Sequence, residues 1–179
     1  MKSNLLYFMA ALSVGLFSSC ISDEETAESV FNEDLKKIDN FVQTTDIVPI
    51  RELTVANTGI VLLFTEENEG GETVAEGDSL EVNYTGYLLD GTVFDTSIEQ
   101  VARDNDMYNS ANPYEPYPVR LGYRGVIDGW HFALAQMKER DKATVLIPSI
   151  YAYGPGGRGP ITPNSVLVFD LELVEVNKQ

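Results

Sequence analysis

The fold turns on residues 80–97, which read Leu80-Glu81-Val82-Asn83-Tyr84-Thr85-Gly86-Tyr87-Leu88-Leu89-Asp90-Gly91-Thr92-Val93-Phe94-Asp95-Thr96-Ser97. Leu80, Val82 and Tyr84 alternate with Glu81, Asn83 and Thr85, the period of two of a strand with one buried face. Asp90-Gly91, set between Leu88-Leu89 and Val93-Phe94, is a tight-hairpin signal. Near the end of the chain, Leu167, Phe169, Leu171 and Leu173 alternate with Val168, Asp170, Glu172 and Val174, a second strand with one apolar face. Residues 60–64 and 142–147 are further strand candidates. Between them lies one short helix candidate, with Trp130, Ala133/Leu134 and Met137 at i, i+3/i+4 and i+7 and Asp128 placed as its cap. These elements predict an α+β domain over residues 58–179, an antiparallel sheet wrapped around one short helix. No internal repeat is present.

Composition narrows the chemistry. The chain has 179 residues, 12 Lys plus Arg, 28 Asp plus Glu and a net charge of −16. Such a surface repels phosphate backbones, and no basic patch offsets it, so nucleic acid is not an expected partner. One cysteine, Cys20, and one histidine, His131, exclude a structural zinc site and a disulfide within the chain. A Ser/His/Asp triad would rest on His131 alone. A lone histidine next to Trp130 on a helix is expected to be structural or exposed, not catalytic.

The N-terminus reads as an address. Lys2 precedes an uncharged apolar run over residues 5–17, too short for a membrane span of about 20 residues but suited to a signal peptide. Leu16-Phe17-Ser18-Ser19-Cys20 resembles a bacterial lipobox, with Phe17 where an aliphatic residue is usual. The resemblance implies cleavage after residue 19 and acylation of Cys20, which would tie the chain to a lipid bilayer. Loss of residues 1–19 removes Lys2 and no acid, leaving 11 basic and 28 acidic residues, net −17. Ser22-Asp23-Glu24-Glu25 is either a solvated tether or resembles the acidic signal that sends some lipoproteins to the cell surface. The expected location is the bacterial cell envelope, at the outer membrane, on its periplasmic face or the cell surface. Residues 20–57 read as tether with one amphipathic helix, 29–43. Its stripe of Phe31, Leu35, Ile38 and Val42 either packs on the domain or serves self-association.

The motifs of the main domain resemble the FKBP-type peptidyl-prolyl isomerase family. The resemblance is carried by residues 82–88 and 90–97 as quoted, then Val126-Ile127-Asp128-Gly129-Trp130, Ala135-Gln136-Met137, Ile147-Pro148, Tyr151-Ala152-Tyr153-Gly154 and Leu167-Val168-Phe169-Asp170-Leu171-Glu172-Leu173, in order over residues 58–176. It implies an FKBP-like fold and isomerisation of X–Pro bonds, with no cofactor and no metal. Rotation about that bond crosses a barrier of roughly 18–20 kcal/mol, because the twisted amide loses resonance. No nucleophile is required. A site that favours the twisted amide over both planar forms suffices, and an apolar aromatic cavity does so because the twisted carbonyl is less polar. The resemblance places Trp130 at the floor of this pocket and Tyr84, Phe94, Tyr117, Val126, Ile127 and Phe169 in its walls. Tyr153 would offer a hydroxyl, the Ile127 N–H would hold a carbonyl oxygen, Asp95 would orient Tyr84 and polarise the amide, and Ile161 would overhang from a flap. The implied partners are proline-containing segments of unfolded or flexible exported proteins.

Two stretches depart from the family pattern. The flap, within residues 154–163, is short and carries Arg158. Residues 98–116, rich in Tyr, Asn and Pro, form an unusually long connection, read either as a surface insertion or as a substrate-facing rim. Within it Arg103 is a candidate basic partner for Asp95. The insertion motivates an alternative reading, a catalytically weak chaperone or peptide-binding module; a purely structural lipoprotein is a third.

Overall fold

The computed structural model describes residues 26–179; the expected signal peptide, Cys20 and the acidic run 22–25 lie outside the described residues. The strands are β1 (Arg51–Thr54), β2 (Val61–Glu66), β3 (Ser79–Leu88), β4 (Val93–Thr96), β5 (Tyr117–Arg120), β6 (Lys142–Ile147) and β7 (Leu167–Asn177). The helices are α1 (Ala27–Thr44), α2 (Glu99–Asp104) and α3 (Asp128–Leu134). The strands form one antiparallel sheet in the order β1-β2-β6-β7-β3-β4, with β5 also paired to β3. This is the α+β architecture, an antiparallel sheet with a short helix on its face, expected from the alternation of residues 80–85 and 167–174.

The sheet is buried on both faces in its middle. On the concave face, Leu62, Phe64, Leu80, Val82, Val145, Phe169 and Leu171 pack with Trp130 and Leu134 of α3. On the opposite face, Val61, Leu63, Leu146 and Val168 pack with Ile38, Phe41 and Val42 of α1. Strands covered on both sides read as continuous apolar runs, which is why residues 60–64 show no alternation. The apolar stripe of α1 packs on the domain, the first of the two readings given for it. Helix α1 starts with a Thr26 cap, whose hydroxyl accepts the Ser29 N–H at 3.1 Å.

Four details differ from the sequence expectation. Strand β1 lies inside the stretch 20–57 read as tether, so the sheet begins before residue 58; its four residues are too few to show a period. Asp128 does not cap α3: Ile127 occupies that position and makes no side-chain cap bond. The β3–β4 turn is a three-residue loop instead of two, with Gly91 N–H donating to Leu88 O at 2.9 Å, Leu88 N–H to Thr92 O at 2.9 Å, and Gly91 at φ +85°. A glycine in the left-handed region is what closes such a loop. Asp34, which the hydropathy pattern assigns to solvent, is 0% exposed.

Ile38, 2% exposed, anchors α1 to the sheet. Ile38→Ala is expected to cost about 3 kcal/mol of stability, read from urea unfolding, whereas Asn40→Ala on the exposed face should cost under about 0.5 kcal/mol.

Candidate active site

Tyr84 and Gly86 sit midway along β3, where its edge partner changes. Strand β5 pairs with residues 79–82 and β4 with residues 85–87, so residues 83–84 face a gap on that edge. The segment after β4 fills it. The Ser97 hydroxyl accepts the Tyr84 N–H at 2.9 Å, while the Tyr84 carbonyl accepts from Ser97 N–H and from the Thr96 hydroxyl, both at 2.9 Å. Thr96 and Ser97 are buried and hold Tyr84 in place. In the sequence they stand only as part of a motif; two adjacent hydroxyl residues at the end of a strand are the signal for this role.

Beside this gap, side chains from six segments enclose a cavity of about 430 Å³. All ten residues expected in the pocket line it: Tyr84, Phe94, Asp95, Tyr117, Val126, Ile127, Trp130, Tyr153, Ile161 and Phe169. Gly125, Arg158, Gly159 and Pro160 also line it and were not expected. The Trp130 ring meets Tyr84 at 5.2 Å, Phe169 at 5.4 Å and Tyr117 at 6.4 Å between centroids, each close to perpendicular. Phe94 and Phe169 meet at 5.6 Å and 85°. Edge-to-face contacts of this kind are favourable and orient each ring. The indole N–H of Trp130 is buried without an acceptor among the described residues, so shape alone holds the ring. Gly86 makes room for the pair behind it: a Cβ there would lie 2.6 Å from Phe94 and 2.7 Å from Phe169.

The polar groups are few. Asp95 is exposed at the rim, its Oδ1 accepting the Thr96 N–H at 2.9 Å. Burial, and then the nearby Asp95 carboxylate, push the Tyr84 phenol well above its ordinary pKa, so it stays a neutral hydroxyl. The Ile127 N–H, at the head of α3, has no partner among the described residues. The flap turns back through Arg158 N–H to Ile161 O and Ile161 N–H to Arg158 O, both 2.9 Å, which buries Ile161 and leaves the Arg158 guanidinium 5.4 Å from the Tyr153 ring centroid.

Residues 98–116 supply nothing to the cavity lining. They contain α2 and a stacked cluster. Arg103 bonds to Glu99 at 2.6 Å and lies 3.5 Å over Tyr108, which stacks on Tyr114 at 5.6 Å. Arg103 is therefore committed locally and is not the partner of Asp95. His131 Nδ1 accepts the Gly122 N–H at 3.3 Å and stands outside the cavity.

The sequence profile of the FKBP-type peptidyl-prolyl cis-trans isomerases matches residues 70–174. The chain belongs to this family. It is 39% identical over 121 residues to the FKBP-type peptidyl-prolyl cis-trans isomerase FkpA of Escherichia coli, covering 68% of this chain and 39% of the relative. It is 36% identical over 110 residues to FK506-binding protein 1 of Saccharomyces cerevisiae, covering 61% and 85%. Against peptidyl-prolyl cis-trans isomerase FKBP4 of Rattus norvegicus it is 33% identical over 147 residues, 80% of this chain but only 29% of the relative's length. Among solved structures, Escherichia coli FkpA matches with a TM-score of 0.61 and 32% identity, covering 84% of this chain and 62% of that one. A peptidyl-prolyl cis-trans isomerase of Pseudomonas syringae matches with a TM-score of 0.61 and 27% identity, covering 86% and 97%.

Two half-buried phenols make stability sensitive to alkali. Tyr87 is pushed up like Tyr84, by burial and then by Asp170, whose Oδ1 accepts its hydroxyl at 3.2 Å. In the unfolded chain both phenols titrate near 10, so above that pH the folded state binds more protons and stability falls as pH rises. The urea midpoint should drop between about pH 8 and about pH 11, and Tyr84→Phe/Tyr87→Phe should flatten the drop; an unchanged slope in the double variant would assign the effect elsewhere.

Proposed function

We propose that this chain is a lipid-anchored isomerase of the bacterial cell envelope that speeds cis/trans exchange of X–Pro bonds in exported proteins. The observation that carries the reading is the cavity itself: perpendicular aromatic rings on a Trp130 floor, with one carboxylate, Asp95, at the rim. Its size suits a proline ring with part of its neighbour. The apolar walls favour the twisted amide, whose carbonyl has lost resonance and polarity, over either planar form. The Ile127 N–H is available to hold a substrate carbonyl oxygen, and the Tyr84 and Tyr153 hydroxyls are donors at the wall. Asp95 acts as a fixed negative charge next to Tyr84 and the bound amide. Each 1.36 kcal/mol of preference for the twisted form gives about a tenfold rate gain, so no covalent step is needed.

The full chain in mild detergent should accelerate exchange in a short Xaa-Pro peptide. Trp130→Ala and Asp95→Ala should each lower kcat/KM roughly tenfold or more; Asp95→Ala should leave the far-UV circular dichroism unchanged, and Trp130→Ala, which also hollows the core, is assayed below its lowered unfolding midpoint. No acceleration by the folded wild-type chain would reject the isomerase reading. The alternative, a peptide-binding module, would show binding that survives both substitutions and is lost when residues 98–116 are shortened.

The anchor rests on the lipobox-like residues 16–20. Metabolic labelling with a radioactive fatty acid should mark the wild-type chain in a bacterial host, and Cys20→Ser should abolish the label and release the chain from the membrane fraction. A labelled Cys20→Ser chain would sink the anchor proposal.

A further inference from the structure

Asp34 is the fully buried charge on α1, lying on the same face as Val30 and Ile38. Its Oδ2 accepts the Ser149 N–H at 2.9 Å and the Ser149 hydroxyl at 2.6 Å. Its Oδ1 is buried with no partner among the described residues. Taking a carboxylate out of water is costly unless it is fully paired, and this one is half paired. Holding α1 to the sheet does not explain the choice, because an apolar side chain would do so at lower cost, as Ile38 does.

The place of Ser149 supplies a reason. It opens the short turn Ser149–Tyr151, and the Ala152 N–H donates back to the Ser149 carbonyl at 2.9 Å. Tyr153, in the cavity wall, follows at once. On its other side, Tyr151 meets Phe132 of α3 at 5.4 Å. The Asn164 N–H donates to the Gly154 carbonyl at 2.9 Å and closes the base of the flap. The segment that carries Tyr153 is thus pinned at Ser149 by α1 and at Gly154 by the flap's own closure.

We propose that Asp34 is a positioning residue of the isomerase site: acting through Ser149, it sets the placement of Tyr153 and the entry of the flap, so the helix preceding the sheet bears on turnover. The effect on turnover rests on the isomerase reading above. A displacement of about 1 Å at a site can cost orders of magnitude in rate, and a half-paired carboxylate seated on the backbone N–H of Ser149 resists such displacement.

The test measures kcat and KM for a Xaa-Pro peptide on the full chain, well below its thermal transition, together with amide hydrogen exchange. Asp34→Ala should lower kcat roughly tenfold with KM within about twofold. Asp34→Asn keeps an acceptor oxygen for Ser149 and should restore kcat to within about threefold of wild type; if Asp34→Ala fails to fold, Ser149→Ala, which removes the hydroxyl bond to Asp34, takes its place and should lower kcat at least about threefold. In a Tyr153→Phe background, Asp34→Ala should cost clearly less than the roughly tenfold it costs in wild type, because only the flap's share of the effect remains. Residues 151–156 should exchange faster in Asp34→Ala while β6 keeps its protection. An unchanged kcat, the same tenfold loss in the Tyr153→Phe background, or unchanged exchange over 151–156 would overturn the proposal. If wild type shows no acceleration, the isomerase reading fails by itself, and the exchange measurement still decides whether Asp34 holds this segment.

Discussion

Strand β3 must pair with three neighbours at once, and the site depends on how it does so. Strand β7 runs along all of it, while β5 and β4 share the other edge in succession. A strand edge that changes partners leaves backbone groups that need acceptors and donors from elsewhere, because unpaired buried groups are costly. Here the need falls at Tyr84, and Thr96 and Ser97 meet it. The chain between β4 and β5 leaves the sheet at this break, which is why residues 98–116 can be long and separately folded without entering the cavity.

The cavity follows from packing as much as from chemistry. Trp130, at 4% exposure, is part of the main apolar core and also the floor of the site. Its contacts with Tyr84 and Phe169 belong to both roles, so stability and pocket shape are not separable there. That continuity shows how a rigid apolar cavity is built from core residues, Ile161 among them, with Asp95 and Arg158 added at the rim. The scarcity of cysteine and histidine is consistent with the same point: twisting an amide calls on neither.

Much of this was legible before any coordinates. Alternation over residues 80–88 and 167–174 marks half-buried strands because the side-chain period of two is a local property of the chain. The ordered motifs placed ten side chains that the structure brings to one cavity. Other features were not legible, each for a physical reason. Asp34 is charged, and hydropathy sends charges outward; only its bonds to Ser149, far away in sequence, account for its burial. Strand β1 is too short for a period and exists because β2 offers it an edge. Arg103 looked free to meet Asp95, but Glu99 and Tyr108 lie closer along its own segment.

What the sequence determined by itself was the main strands, the helices α1 and α3, and which side chains meet in the cavity: local period, turn residues and the order of motifs depend on neighbours a few residues apart. What only the tertiary structure decided was which side chains support that pocket. The Tyr84 backbone bonds to residues 96–97, the fit of Gly86 against two rings, and the Asp34–Ser149 contact all join residues separated along the chain. Their energies depend on burial and angle, and neither exists until the sheet has closed on its two helices.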